Sequence, residues 1–132
     1  GGQAGVERAL QNMQKEIENL LTLINEDYAR WTTRSWEAND FGGEERRDAR
    51  IAEFADKLVV KEGQKYIKII SDNSVWGFIV KGDNDKLFQK GDVLKPAGWA
   101  APARNKPRGN VFAMLEGKGT GWVRWTGPQY LR

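Results

Sequence analysis

Apolar residues in the first part of the chain recur at alternating spacings of three and four. These residues are Val6, Leu10, Met13, Ile17, Leu20 and Ile24. The spacing is a heptad pattern, which predicts a helix with one apolar stripe. No proline interrupts this region, so we expect the helix to extend to about Trp36.

The stripe has more than one interpretation. Isoleucine at a positions with leucine at d positions favours parallel two-stranded coiled coils. Asp27 interrupts the seam while Leu21 and Leu23 widen it, which also fits a bundle or docking on the chain's own globular part. We predict a homo-oligomer, a dimer or higher. The residues expected to join its copies are Leu10, Met13, Ile17, Leu20 and Ile24.

A second helix is predicted after a break at residues 39–43, where two glycines supply conformational freedom. We expect this helix over residues 44–57, because two glutamates at its start suit the helix dipole. Its apolar face would be formed by Ile51, Phe54, Ala55 and Leu58. We therefore interpret residues 1–57 as a helical oligomerisation segment.

The remaining chain alternates apolar and polar residues, which is typical of strands. Short strands are predicted within residues 58–61, 65–70, 75–81, 88–94, 110–115 and 121–126. Turn residues separate them, and such frequent turns favour an antiparallel sheet. We predict an α+β protein in which residues 58–132 form a small SH3-like or OB-like antiparallel β-barrel.

Charge divides the chain at the same place. Residues 1–56 carry a net charge of −5 and residues 57–132 a net charge of +8, within a total of +3. Such asymmetry indicates two surfaces with different partners.

The basic half contains a proline-stiffened segment at residues 99–110. Arg104, Lys106 and Arg108 alternate along it with no acidic residue among them. Its prolines prevent a helix, so a semi-rigid basic loop is predicted. The expected binding surface consists of Lys95, Trp99, Arg104, Asn105, Lys106, Arg108 and Asn110. The two asparagines either contact a ligand or cap turns.

Two kinds of partner suit this surface. Small barrels with aromatic grooves commonly hold extended peptides, which predicts a protein-interaction or adaptor module. The alternative is binding of single-stranded or non-sequence-specific nucleic acid, because cations neutralise phosphates while aromatic rings stack on bases.

Composition argues against catalysis. The chain has no cysteine and no histidine, which removes most zinc chemistry and the commonest general base. Asp83, Asp85 and Asp92 are expected in turns, where aspartate is common. No apolar run approaches the roughly 18 residues of a membrane span. We expect a cytoplasmic, non-enzymatic protein without cofactor or metal.

The C-terminal half resembles a group of viral proteins. The similar stretches are Gly-Asp-Val-Leu-Lys-Pro-Ala-Gly-Trp at 91–99, Pro-Ala-Arg-Asn at 102–105 and Trp-Thr-Gly-Pro at 125–128. They resemble small uncharacterised proteins of tailed bacteriophages, including marine ones, over roughly residues 45–131. The resemblance implies a phage origin and the host-cell cytoplasm, and it implies no activity or functional residues.

Overall fold

Two helices open the part of the chain that the computed structural model describes, which is residues 13–39, 42–117 and 119–129. Helix α1 spans Gln14–Asn39 and helix α2 spans Glu44–Asp56. Two acidic residues lie in the first turn of α2, where the helix dipole favours them. Both predicted helices are confirmed over these bounds. Leu10 lies outside the described residues.

A five-stranded antiparallel sheet follows α2. Its strands are β1 (Leu58–Glu62), β2 (Tyr66–Ser71), β3 (Ser74–Val80), β4 (Asp92–Leu94) and β5 (Gly109–Asn110). They lie in sequence order, so each strand pairs with the next one along the chain. Asp72 and Asn73 form the two-residue turn between β2 and β3 at φ 46° and 68°. Both values suit a tight hairpin turn, which joins the strands predicted within residues 65–70 and 75–81.

The sequence prediction is wrong at residues 110–115, where the chain forms the short helix α3 (Val111–Leu115) instead of a strand. Asn110 caps this helix, because its Oδ1 accepts hydrogen bonds from the amides of Phe112 at 2.9 Å and Ala113 at 3.2 Å. The last strands, β6 (Val123–Arg124) and β7 (Gly127–Pro128), form a separate small hairpin.

The predicted α+β arrangement, a long helix followed by an antiparallel sheet, is confirmed. The closed SH3-like or OB-like barrel is not confirmed. Among the described strands, β1 and β5 are the two edges of an open sheet and do not pair with each other.

One face of the sheet packs in the same apolar core as the stripe of α1. The four described stripe residues are all buried and contribute to this core, and they are Met13, Ile17, Leu20 and Ile24. The sheet contributes Ile67, Ile69, Ile79 and Val93, and α3 contributes Val111 and Met114. Packing within the chain therefore accounts for the heptad stripe. These four residues are covered within a single chain, and the predicted homo-oligomer stays a prediction.

The opposite face of the sheet has a smaller core. Tyr66, Val80 and Leu94 pack there with Phe88 from the loop between β3 and β4. Alternation along the strands sends neighbouring residues to opposite faces, which explains how Val93 and Leu94 serve different cores.

Candidate binding cleft

The predicted basic loop projects from the end of β4 as a small closed turn. The amide of Ala97 donates to the carbonyl of Ala101 at 3.0 Å, and that of Ala103 donates to Lys95 at 2.8 Å. Trp99 lies near the tip of this turn and is 54% exposed. The ammonium of Lys68 lies 4.6 Å from the centre of the Trp99 ring, a cation–π contact.

Arg104 is engaged within the protein. Its guanidinium donates to both carboxylate oxygens of Asp85, at 2.9 and 3.1 Å, and to the hydroxyl of Tyr66. It also lies 5.0 Å from the centre of the Phe88 ring. The hydrogen bonds from Arg104, followed by that from the Leu87 amide, lower the pKa of Asp85 to about 2. The paired hydrogen bonds between Arg104 and Asp85 hold the loop that contains Arg104 against the loop between β3 and β4.

Two more of the predicted binding residues have partners in their own loop. Arg108 Nη1 donates to Asn105 Oδ1 at 2.7 Å and to the carbonyl of Lys106 at 2.6 Å. Of the three cations predicted to meet an anion, two are therefore held by intrachain contacts, while the Lys106 side chain is exposed.

Asn110 is a structural residue. Besides capping α3, it donates through Nδ2 to the carbonyl of Lys90 at 2.9 Å and to Asp92 Oδ1 at 3.0 Å. Its oxygen and both its amide hydrogens are used in these contacts, so the structure favours the capping alternative for this asparagine.

A different surface forms a cleft with a volume of about 970 Å³. It lies between the second half of α1, the exposed face of α2, the turn joining β2 to β3, and the β6–β7 hairpin. Helix α1 contributes Tyr28, Trp31, Thr32, Ser35 and Trp36. Their spacings from the first residue are three, four, seven and eight, so they form one continuous face of the helix.

Aromatic rings form one wall of the cleft. Tyr28 and Phe54 stack with their ring centres 4.0 Å apart and their planes 12° apart. Trp125 meets the Tyr28 ring edge-on at 5.2 Å and lies 5.0 Å from Trp31 at an angle of 46°. Trp31 is 45% exposed, so this wall presents aromatic surface to solvent.

Asp27 holds the β6–β7 hairpin against α1. Its Oδ2 accepts a hydrogen bond from the amide of Trp125 at 2.9 Å, and its Oδ1 lies 3.6 Å from Arg30 and 3.7 Å from Arg124. Trp76 reinforces the contact through its indole N–H, which donates to the carbonyl of Arg124 at 2.6 Å. The aspartate that interrupts the heptad therefore positions Trp125 in the cleft wall.

Helix α2 contributes the basic side of the cleft. Arg46 and Arg50 lie one turn apart on one face of α2, and both are exposed. Neither guanidinium has an ion pair or hydrogen bond with another described residue. The two carboxylates that line the cleft, Glu53 and Asp72, both pair with Lys57, at 3.0 and 3.5 Å.

The hydrogen bond from Lys57 to Glu53, together with the charge of Asp72, raises the pKa of Lys57. Lys57 therefore balances part of the combined charge of these two carboxylates. Neither arginine has an ion-pair partner among the described residues.

Sequence reasoning missed this cleft because its arginines lie in the acidic half of the chain. The pattern that could have revealed it is the helical spacing of Tyr28, Trp31 and Trp36, which continues along α1 beyond the aliphatic stripe. Trp31 also continues the heptad, seven residues after Ile24, and an exposed aromatic residue is not expected in such a seam.

A metal-ligand cluster and a membrane-spanning helix are both absent from the described residues. No cluster of three or more histidine, cysteine, aspartate or glutamate side chains has a geometry suited to a metal ion there. Neither long helix has an apolar stretch that could cross a membrane.

The chain belongs to a family of unknown function, DUF7717, whose model matches residues 3–131. No curated protein matches the chain. No solved structure matches it either. The family match covers both helices and the sheet. The resemblance to phage proteins stays a prediction.

Proposed function

We propose that this protein is a non-enzymatic binding module that holds a segment of a partner protein in the cleft between α1, α2 and the β6–β7 hairpin. The observation that carries the proposal is the aromatic wall of exposed Trp31 and half-buried Trp125 beside Arg46 and Arg50, which have no ion-pair partner among the described residues. Tryptophan and arginine are the residues most enriched at energetically important positions of protein interfaces.

A buried hydroxyl on the same wall adds support. Thr32 is 1% exposed, and its Oγ1 has no hydrogen-bond partner among the described residues. Buried polar groups normally have partners, so an unsatisfied hydroxyl is typical of a site that a ligand completes.

A protein segment suits the cleft better than a nucleic acid does. Single-stranded nucleic acids need a positively charged groove that follows their backbone. The charged residues lining this cleft are two arginines and two carboxylates. A phosphate chain would approach Glu53 and Asp72, whereas a peptide can present groups of both signs.

The alternative partner, nucleic acid at the 99–110 loop, has less support. Arg104 and Arg108 already have intrachain partners, so binding phosphates would require them to exchange those contacts. A single chain is sufficient to form the cleft, because the apolar stripe of α1 is covered in the core of the same chain.

The test uses random peptides displayed on a library and selected on the full-length protein. Selected peptides, labelled with fluorescein, are then titrated against the wild type and against Trp31→Ala. We expect Trp31→Ala to weaken binding by roughly tenfold or more, as truncation of a central interface tryptophan does. Trp99→Ala is the matched control, because Trp99 is a similarly exposed tryptophan far along the chain from the cleft.

The pair of variants separates the two surfaces. Loss of binding in Trp31→Ala alone supports the cleft. Loss in Trp99→Ala alone, equal binding by both variants and wild type, or failure to select any peptide contradicts the proposal.

A further inference from the structure

The side of the cleft opposite the aromatic wall determines what kind of segment can bind. Arg46 and Arg50 are separated by one helical turn, and Ala49 lies between them on the same face. Alanine has a short side chain that favours a helix, so Ala49 does not fill the space between the two guanidinium groups. A ligand group can approach either arginine from the cleft.

These guanidinium groups are unusual among the charged groups of this region. Arg30 and Arg124 lie near Asp27, Arg47 pairs with Asp48 at 3.2 Å, and Lys57 pairs with Glu53. Arg46 and Arg50 have no such partner among the described residues. A planar guanidinium binds a carboxylate through two parallel hydrogen bonds, which makes carboxylate the complementary group.

The neighbouring carboxylates distinguish among anions. Glu53 and Asp72 line the same cleft, and Lys57 balances only part of their combined charge. A phosphate group carries nearly two negative charges near neutral pH, so these two residues repel it more strongly than they repel a single carboxylate. The two arginines attract this second charge while the two carboxylates repel it, so a phosphate gains little over a single carboxylate in this cleft.

The aromatic wall provides the second contact. The rings of Trp31 and Trp125 lie 5.0 Å apart at an angle of 46°, and Trp31 is 45% exposed. Such a pair accommodates an apolar side chain or a proline ring, as aromatic-lined peptide grooves do. The wall and the arginines belong to one cleft, so one short segment can contact both.

We infer that the cleft selects partner segments in which a glutamate or aspartate lies close to an apolar anchor, with the carboxylate bound by Arg46 and Arg50 and the anchor packed on Trp31 and Trp125. This inference rests on the proposed function and adds the chemistry of the partner.

The experiment uses fluorescein-labelled peptides from the selection, each synthesised with its acidic residues and again with the corresponding amides. Affinities for the full-length protein are measured by fluorescence anisotropy. We expect the acidic form of each pair to bind roughly tenfold or more tightly, because a charge-assisted hydrogen bond is about twice as strong as a neutral one. This advantage should shrink as salt concentration rises, because the arginines are exposed.

The double variant Arg46→Gln with Arg50→Gln should remove the difference between acidic and amide peptides. Arg47→Gln is the matched control on the same helix, because Arg47 pairs with Asp48 and does not line the cleft. Circular dichroism should show the same helical content in both variants, since none of the three guanidinium groups is in the core. An equal loss in Arg47→Gln would overturn the inference.

The outcomes separate this inference from the proposed function. If Trp31→Ala weakens both peptide forms but the forms bind equally to the wild type, the carboxylate inference is overturned and the binding cleft survives. If Trp31→Ala has no effect, both are overturned. Two phosphate-bearing probes are also titrated, a twelve-nucleotide oligothymidylate and a phosphoserine peptide. The inference is also overturned if either probe binds the wild type more tightly than the acidic peptide does and loses that binding in the double arginine variant.

Discussion

Replacement of Asp27 tests how the cleft is held open. Asp27 is buried, and its carboxylate is the polar contact between α1 and the β6–β7 hairpin that carries Trp125. Asp27→Ala removes the acceptor of the Trp125 amide together with the charge that faces Arg30 and Arg124. Asp27→Asn retains an oxygen for the amide and removes only the charge. The two variants therefore separate the hydrogen bond from the ion pairs.

The magnitudes follow from the surroundings of each partner. Arg30 and Arg124 are about half exposed, at 62% and 49%, and their distances to Asp27 exceed 3.5 Å. Solvent screens such pairs, so we expect Asp27→Asn to cost about 0–1 kcal/mol of unfolding free energy. Asp27→Ala adds the cost of leaving a buried amide without a partner, about 1–3 kcal/mol. The total for alanine should therefore be roughly 1–4 kcal/mol.

Urea unfolding followed by far-UV circular dichroism measures both variants. Glu26→Ala is the control, because Glu26 is an exposed acidic residue on the same helix and should change stability by less than about 0.5 kcal/mol. Equal costs for Asp27→Asn and Asp27→Ala would refute the reasoning, because they would show that charge and not the hydrogen bond secures the hairpin. A cost below about 0.5 kcal/mol for alanine would show that the contact is not needed.

Two further predictions concern the other structural contacts. The pKa of Asp85 falls from its ordinary 3.8 to about 2 through its contact with Arg104, so its contribution to stability is present above pH 3.8 and is lost as the pH falls toward 2. The urea midpoint of the wild type should therefore fall more steeply between pH 3.8 and pH 2 than the midpoint of Asp85→Asn. Asp83→Asn is the control, and its midpoint should follow the same pH dependence as that of the wild type. The double variant Ile17→Asp with Leu20→Asp should unfold the sheet as well as the helices, because two buried apolar contacts worth about 2–5 kcal/mol each are lost and two charges enter the core. A folded sheet in that variant, seen as dispersed β-strand amide resonances by NMR, would contradict the shared core.

Local patterns predicted the elements well and their assembly poorly. The heptad stripe located α1, and the turn at residues 71–74 located the hairpin of β2 and β3, because both depend on nearby residues. The stripe could not show what covers it. An apolar helix face is the same whether a second copy or the chain's own core buries it. Here the core that contains Ile67 and Ile69 also contains the stripe.

The error at α3 has a similar cause. Residues 111–115 are almost all apolar, and a short apolar run fits a buried strand or a buried helix equally. Asn110 decides in favour of the helix, since its side-chain oxygen satisfies two amides at the helix start. That oxygen is available because Asp92 and the carbonyl of Lys90 fix the orientation of the asparagine amide.

Net charge over a segment does not show which of its charges are available to a ligand. The basic half supplied Arg104 and Arg108, and folding brought both to acceptors within the chain. Arg46 and Arg50 lie in the acidic half, and in the folded chain the nearby Glu53 forms its ion pair with Lys57 instead of with either arginine. An arginine becomes available to a ligand when the fold pairs the surrounding carboxylates with other cations. That condition depends on tertiary contacts, such as the one between Lys57 and Asp72 across the start of β1 and the β2–β3 turn, and no count of charges along the chain contains it.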